Sequence, residues 1–124
     1  MAQVIVDDMM QRYPRLIGVK IFSRNSANEL RVIASHDRTQ IGEPGAAVEE
    51  EVISTSSPFY ARDKEADNVS VIIPLQDRNG ETVAALRVIM KPFPGQTQKS
   101  AYARALPIVK AIEARIVSAK DLTQ

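Results

Sequence analysis

The chain has 124 residues, of which 44% are hydrophobic and 25% charged, and its formal net charge is +1. This length is enough for one hydrophobic core, so we predict a single domain over residues 1–124 that needs no metal or disulfide to fold. The charge balance lacks the basic excess of a nucleic-acid-binding protein, and the absence of cysteine excludes disulfides, thiolate metal sites and a cysteine nucleophile.

Membrane insertion is not expected either. No apolar run approaches the roughly 20 residues that a helix needs to cross a bilayer. The opening Met1-Ala2-Gln3 looks like a start methionine in front of a mature N-terminus, because signal peptidase often leaves such residues after cleavage. We therefore expect a periplasmic or secreted protein, with a cytoplasmic location as the alternative.

The first element in chain order is a helix. Apolar residues recur at spacings of three and four from Val6 to Tyr13, which predicts a helix over residues 3–13 with one apolar stripe. Pro14 ends this helix, because the residue before a proline avoids helical backbone angles.

A hairpin of two strands follows. Leu16 to Ser23 is rich in β-branched and aromatic residues, with Ile17 and Val19 on one face and Lys20 on the other. After a polar turn, Leu30 to Ser35 returns as the second strand.

The middle of the chain predicts a short helix and a polar strand. Ala46 to Thr55 contains good helix formers, with Val48 and Val52 facing inward and the run Glu49-Glu50-Glu51 forming a solvated face. Phe59 to Lys64 reads as a third strand, and its polar composition makes it an edge of the sheet.

A second hairpin is the clearest local signal in the chain. Val69 to Leu75 and Thr82 to Met90 are strongly apolar, and between them Asp77-Arg78-Asn79-Gly80 has the composition of a turn. Apolar residues then recur at helical spacing over a terminal helix, at Ala105, Val109, Ile112, Ile116 and Ala119. Pro107 either kinks this helix or marks its first turn.

The predicted order is α-β-β-α-β-β-β-α, an α+β domain with antiparallel strands and helices on its faces. Two segments carry a resemblance: Val32-Ile33-Ala34-Ser35 followed by Ile41-Gly42, and the turn Pro74-Leu75-Gln76-Asp77-Arg78-Asn79-Gly80. With this order of elements they resemble a single Cache domain of the PAS-like superfold, of the small secreted stand-alone bacterial type. The resemblance implies a five-stranded antiparallel sheet with flanking N- and C-terminal helices. It also implies a ligand pocket beside the sheet and extracytoplasmic recognition of a small molecule such as a carboxylate or amino acid.

In such domains the ligand is held by the crossing segment and the third and fourth strands. Tyr60 and Arg62 share one face of the third strand by its two-residue period, and a hydroxyl with a guanidinium suits a carboxylate. The alternative interpretation is an edge strand whose polar side chains are solvated and protect it from pairing.

Arg87 interrupts the most apolar strand of the chain, so it is a further candidate for binding an anion. Alternatively, its aliphatic part packs under a helix while its head reaches solvent, or it pairs with an acid such as Glu113. Lys20 breaks the first strand in the same way and leaves the same alternatives open.

His36, the only histidine, is the fourth candidate ligand residue. It lies next to Asp37, a pairing found at general bases, but Ser35 lies directly before it and neighbouring strand residues point to opposite faces. A loop histidine at the end of a strand is the structural alternative. One histidine and scattered carboxylates have no metal-ligand spacing, so we predict no metal, no other cofactor and no enzyme activity.

Two further hypotheses concern protein partners. The apolar stripes of the first and last helices can cover the sheet, and in PAS-like domains such helices also pair between subunits, so a homodimer is predicted. The same order of elements also resembles the roadblock class of cytoplasmic dimeric adaptors, which bind a protein partner and have no ligand pocket.

Overall fold

The structure is a computed structural model that describes residues 2–92 and 97–115. Its elements follow the predicted order, with a short 3-10 helix added at Arg38–Gln40. The helices and strands are α1 Ala2–Arg12, β1 Leu16–Arg24, β2 Leu30–Ser35, α2 Ala47–Thr55, β3 Phe59–Asp63, β4 Asn68–Gln76, β5 Thr82–Met90 and α3 Gln98–Glu113.

The strands form one five-stranded antiparallel sheet in the order β2-β1-β5-β4-β3. The predicted α+β architecture is therefore confirmed, and β3 lies at an edge as predicted. The chain's first hairpin, β1–β2, and its last, β4–β5, meet through β1 and β5 at the centre of the sheet. Gly80, with a φ of +81°, supplies the left-handed turn conformation of the second hairpin.

The helices divide between the two faces of the sheet. One face packs on α1 and α3 through the main core, which includes Ile5, Met9, Leu86 and Ile108. The other face packs on α2 through a smaller cluster, formed by Phe22, Leu30, Val32, Val52, Ile72 and Ala85. The alternation of β-strand side chains places these two clusters on opposite sides of the sheet.

Two details of the helices and strands differ from the predictions. Ile17 is exposed instead of sharing the buried face of Val19, because the register between β1 and β5 shifts between Leu16 and Gly18. The run of glutamates on α2 is not a solvated face: Glu49 is buried and Glu50 is half-buried, where it accepts hydrogen bonds from Arg24.

Pro107 lies in the interior of α3, so it does not mark the first turn of that helix. Of the predicted apolar stripe of α3, Ala105, Val109 and Ile112 are buried. Ile116 and Ala119 lie outside the described residues. Asp8 on α1 contacts the segment just after α3, since it accepts a hydrogen bond from Arg115 at 2.9 Å.

Candidate functional site

The face of the sheet under α2 carries a group of polar residues beyond the end of the apolar cluster. Lys20 on β1 lies directly opposite Arg87 on β5, and Ser70 on β4 lies opposite Ile89 on β5. Because residues opposite each other in antiparallel strands project to the same side, these four side chains share the α2 face. All four are half-buried. We refer to Lys20, Ser70, Arg87 and Ile89 as the basic face.

Arg87 is tied to α2 by an ion pair. Its Nη2 lies 3.0 Å from Oε1 of Glu49, whose side chain is only 2% exposed, while the Arg87 side chain is 26% exposed. The Arg87 Nε is buried and has no hydrogen-bond partner within the described ranges. Of the alternatives drawn from the sequence, Arg87 thus pairs with an acid, but the acid is Glu49. Glu113 instead accepts a hydrogen bond from the backbone N–H of Gln76, at 2.8 Å.

His36 borders the basic face at the end of β2. Its Nδ1 lies 3.2 Å from the backbone N and 3.3 Å from the carbonyl oxygen of Val19. Its ring covers Gly18 so closely that a Cβ there would stand 2.5 Å from the ring Cε1. The position of the imidazole therefore depends on the absence of a side chain at Gly18.

Asp37 does not orient this histidine as the acid of a catalytic dyad would. Its Oδ1 accepts hydrogen bonds from the hydroxyl and the backbone N–H of Thr39, at 2.6 and 3.0 Å, and so caps the 3-10 helix. These bonds lower the pKa of Asp37, with small contributions from the charges of His36 and Lys20. The arrangement agrees with a loop histidine at a strand end.

Tyr60 and Arg62 lie on the opposite face of the sheet from Arg87. Tyr60 is opposite Val71 and Arg62 is opposite Val69, and both valines belong to the main core under α1 and α3. Tyr60 packs against that core, and Arg62 is exposed. The two side chains share a face, as the strand period predicts, but they are not brought together with Arg87 or His36. Their role in ligand binding stays a prediction.

Glu49 is the residue of this region that sequence reasoning misplaced. The sequence did contain a signal for the buried position of Glu49. This residue lies three positions before the inward-facing Val52 on α2, and a charge inside the apolar strand β5 requires a counter-charge.

A small cavity of about 180 Å³ lies between α2 and the start of β3. Its walls include Val48, Val52 and Phe59.

Among the residues that the structure describes, no three histidine, aspartate or glutamate side chains are grouped closely enough to hold a metal ion. Over the same residues, no helix has the length and apolar character required to cross a bilayer.

No protein-family model and no curated protein sequence matches the chain. Solved structures do match it. A GAF sensor protein from Burkholderia vietnamiensis superposes with a TM-score of 0.65 at 16% identity, over 97% of this chain and 78% of that one. The fold is GAF/PAS-like. The type II free methionine-R-sulfoxide reductase of Thermoplasma acidophilum matches with a TM-score of 0.62 at 12% identity, over 98% and 89% of the two chains. The sensor domain of Escherichia coli DcuS matches with a TM-score of 0.54 at 14% identity, over 87% and 71%.

These similarities confirm the predicted PAS-like architecture. At such low identities they establish the fold alone, so the function has to be argued from the residues of the site. That the chain is specifically a single Cache domain stays a prediction.

Proposed function

We propose that this chain is a sensor domain that binds a small anionic metabolite, such as a carboxylate or an amino acid, on the α2 side of its sheet. The observation that carries the proposal is the pair Lys20 and Arg87, two cations placed directly opposite each other on neighbouring strands. One buried carboxylate, that of Glu49, pairs with Arg87. Like charges on opposed strand positions are destabilising, and an anion bound between them relieves that repulsion.

The basic face has the other features expected of a small ligand site. Ser70 can donate a hydrogen bond from its hydroxyl, Ile89 offers apolar contact, and a ring nitrogen of His36 at the border can take part in a hydrogen bond. GAF sensor proteins and the DcuS sensor domain share the fold, which supports a role in ligand recognition by analogy.

A catalytic role has less support. The matched sulfoxide reductase shows that the fold can serve an enzyme, but reduction of a sulfoxide consumes two electrons. The 124 residues contain no cysteine thiol that could supply them. We propose a binding domain without enzyme activity.

Export to the periplasm or the medium remains part of the proposal. Its support is the resemblance to single Cache domains, and the absence of cysteine suits either compartment. Fractionation of cells that express the natural gene decides the location, and recovery in the cytoplasm would favour the adaptor alternative.

A thermal stability screen of the purified protein against small carboxylates, amino acids, amines and purines tests the function. A ligand at 100 times its dissociation constant stabilises the native state by about 2.7 kcal/mol, which raises the melting temperature by several degrees. We expect a carboxylate or amino acid to give this shift. We expect Lys20→Gln to abolish it, whereas Arg78→Gln, a matched change in the exposed turn between β4 and β5, leaves it intact.

The same screen separates the two predicted sites. Loss of the shift in Tyr60→Phe and Arg62→Gln, with Lys20→Gln unaffected, would move the site to the other face of the sheet. A flat screen would overturn the proposal and favour the roadblock-like adaptor that binds a protein partner.

A further inference from the structure

A second cavity lies on the side of the sheet that faces α1 and α3. Its volume is about 410 Å³, within the range of cavities that hold small organic ligands. It opens where α1 ends, β1 begins and β5 ends, and α3 closes its remaining side. Leu16, Met90 and Ile108 form an apolar floor, and Tyr13 stands beside them.

Three arginines from three different segments surround this apolar floor. Arg12 comes from the last turn of α1, Arg15 from the connection to β1, and Arg104 from α3. An apolar cavity with a cationic entrance matches a ligand that has an apolar body and one anionic end. A nucleotide or a sugar phosphate would instead place polar groups against the floor, at a cost in desolvation.

Arg12 and Arg104 each make a polar contact within the protein. Asp8 is shared by two arginines, with its Oδ2 at 3.3 Å from the Arg12 Nε and 2.9 Å from an Arg115 Nη2. Arg104 donates a hydrogen bond from Nη1 to the Lys91 carbonyl oxygen at 2.9 Å, which orients its guanidinium. Burial lowers the pKa of Arg104, and the nearby charge of Arg15 lowers it further. An anion at this point would offset both effects.

We propose that this cavity is a second ligand site, which takes a monocarboxylate with an apolar body, such as a medium-chain fatty acid. The carboxylate lies among Arg12, Arg15 and Arg104, where a guanidinium can form two parallel hydrogen bonds with it. The hydrocarbon body lies on Leu16, Met90 and Ile108, where its removal from water drives binding. The site is separated from the basic face by the sheet itself, so the two proposals are independent.

Titration of the full chain with sodium octanoate, followed by calorimetry and by amide NMR, tests the proposal. We expect saturable binding with shift changes concentrated at residues 12–16, 90 and 104–108. Octanol, which has the same chain length without the charge, should bind at least about tenfold more weakly, since a charge-assisted hydrogen bond contributes more than the equivalent of a factor of ten.

Variants of the arginines test where the carboxylate of octanoate binds. Arg104→Gln should weaken octanoate binding by about tenfold, and Arg78→Gln, remote in the β4–β5 turn, should leave it unchanged. Because Arg104→Gln also removes the bond to the Lys91 carbonyl, Arg15→Gln serves as a second variant at an exposed position. It should weaken binding without loss of fold.

Equal affinity for octanol and octanoate would overturn the proposal, since it would describe an apolar cavity without an anion site. Absence of binding, or shift changes elsewhere in the protein, would overturn it as well. Lys20→Gln should not alter octanoate binding, so failure here and failure of the sensor site are distinguishable.

Discussion

Glu49 has two roles at the first turn of α2. Its Oε2 accepts a hydrogen bond from the backbone N–H of Ala46 at 3.2 Å, and its Oε1 pairs with Arg87 at 3.0 Å. The first role satisfies one of the helix N–H groups that lack an intrahelical partner, and a carboxylate there also interacts favourably with the helix dipole. The second role, the ion pair, neutralises the charge of Arg87 on β5. One buried side chain therefore fixes the position of α2 over the basic face.

Substitution of Glu49 tests this arrangement. Glu49→Gln keeps the side-chain volume and an oxygen for the cap, but leaves Arg87 without its counter-charge, so we expect a loss of about 2 kcal/mol in the free energy of unfolding. The estimate is below that for a fully buried pair because Arg87 is partly exposed. Urea denaturation measures the loss. Glu51→Gln, exposed on the same helix, should cost almost nothing.

A double variant separates the contribution of charge from the contribution of packing at this ion pair. Glu49→Leu together with Arg87→Met replaces the ion pair by apolar side chains, which is often neutral or stabilising in protein interiors. We expect it to recover most of the stability lost in Glu49→Gln. If Glu49→Gln unfolds at the same urea concentration as Glu51→Gln, then the ion pair does not hold α2 in place.

At the scale of elements, α3 has a favourable N-terminal cap and an unfavourable proline in its interior. Thr97 caps the helix by accepting a hydrogen bond from the backbone N–H of Ser100 at 3.1 Å. Pro107 lies further along, where it has no N–H to donate and its ring crowds the preceding turn. Burial of Ala105, Ile108, Val109 and Ile112 against the sheet offsets this cost. Tertiary packing, more than local propensity, thus maintains the helix past the proline.

Replacing this proline should therefore stabilise the protein. Pro107 is exposed, so Pro107→Ala removes no core contact and restores a backbone hydrogen bond. We expect a gain of about 1–3 kcal/mol in the free energy of unfolding, the upper value being the full cost of an interior proline. Lys110→Ala, exposed on the same helix, is the control and should have little effect. A destabilised Pro107→Ala variant would mean that the packing of α3 requires the helix shape that the proline imposes.

At the scale of the whole molecule, α1 and α3 cover one face of the sheet and also carry exposed apolar side chains. Val4 on α1 is 64% exposed and Leu106 on α3 is 47% exposed. Single exposed apolar residues are common on monomers, so these two alone do not establish an interface. They do mark where the predicted homodimer, paired through its terminal helices, would bury apolar surface.

Light scattering at high micromolar concentration tests the dimer. We expect a mass of twice 13.7 kDa for the natural chain, and the monomer mass for Val4→Asp or Leu106→Asp, because a charge in the interface is costly to bury. The control is Ile41→Asp, at a comparably exposed apolar residue in the loop before α2, which should remain dimeric. A natural chain of monomer mass would refute the dimer.

Local patterns in the sequence determined most of the elements. The bounds of β2 and β5 agree with the prediction, as does the edge position of β3, because strand alternation, turn residues and polar composition are properties of neighbouring residues. The order of elements predicted the α+β class, and the resemblance carried by two short segments added the PAS-like architecture. The need of Arg87 for a partner was also evident, since a charge interrupting an apolar strand has few alternatives.

Tertiary structure alone decided which distant residues meet. The partner of Arg87 lies on a helix that crosses the sheet, and the register that places Lys20 beside Arg87 is a property of the β1–β5 pairing. The cavity with its three arginines likewise joins α1, β1, β5 and α3, which no short segment encodes. Periodicity assigns a side chain to a face of its own element, whereas contacts between elements depend on how the whole chain packs.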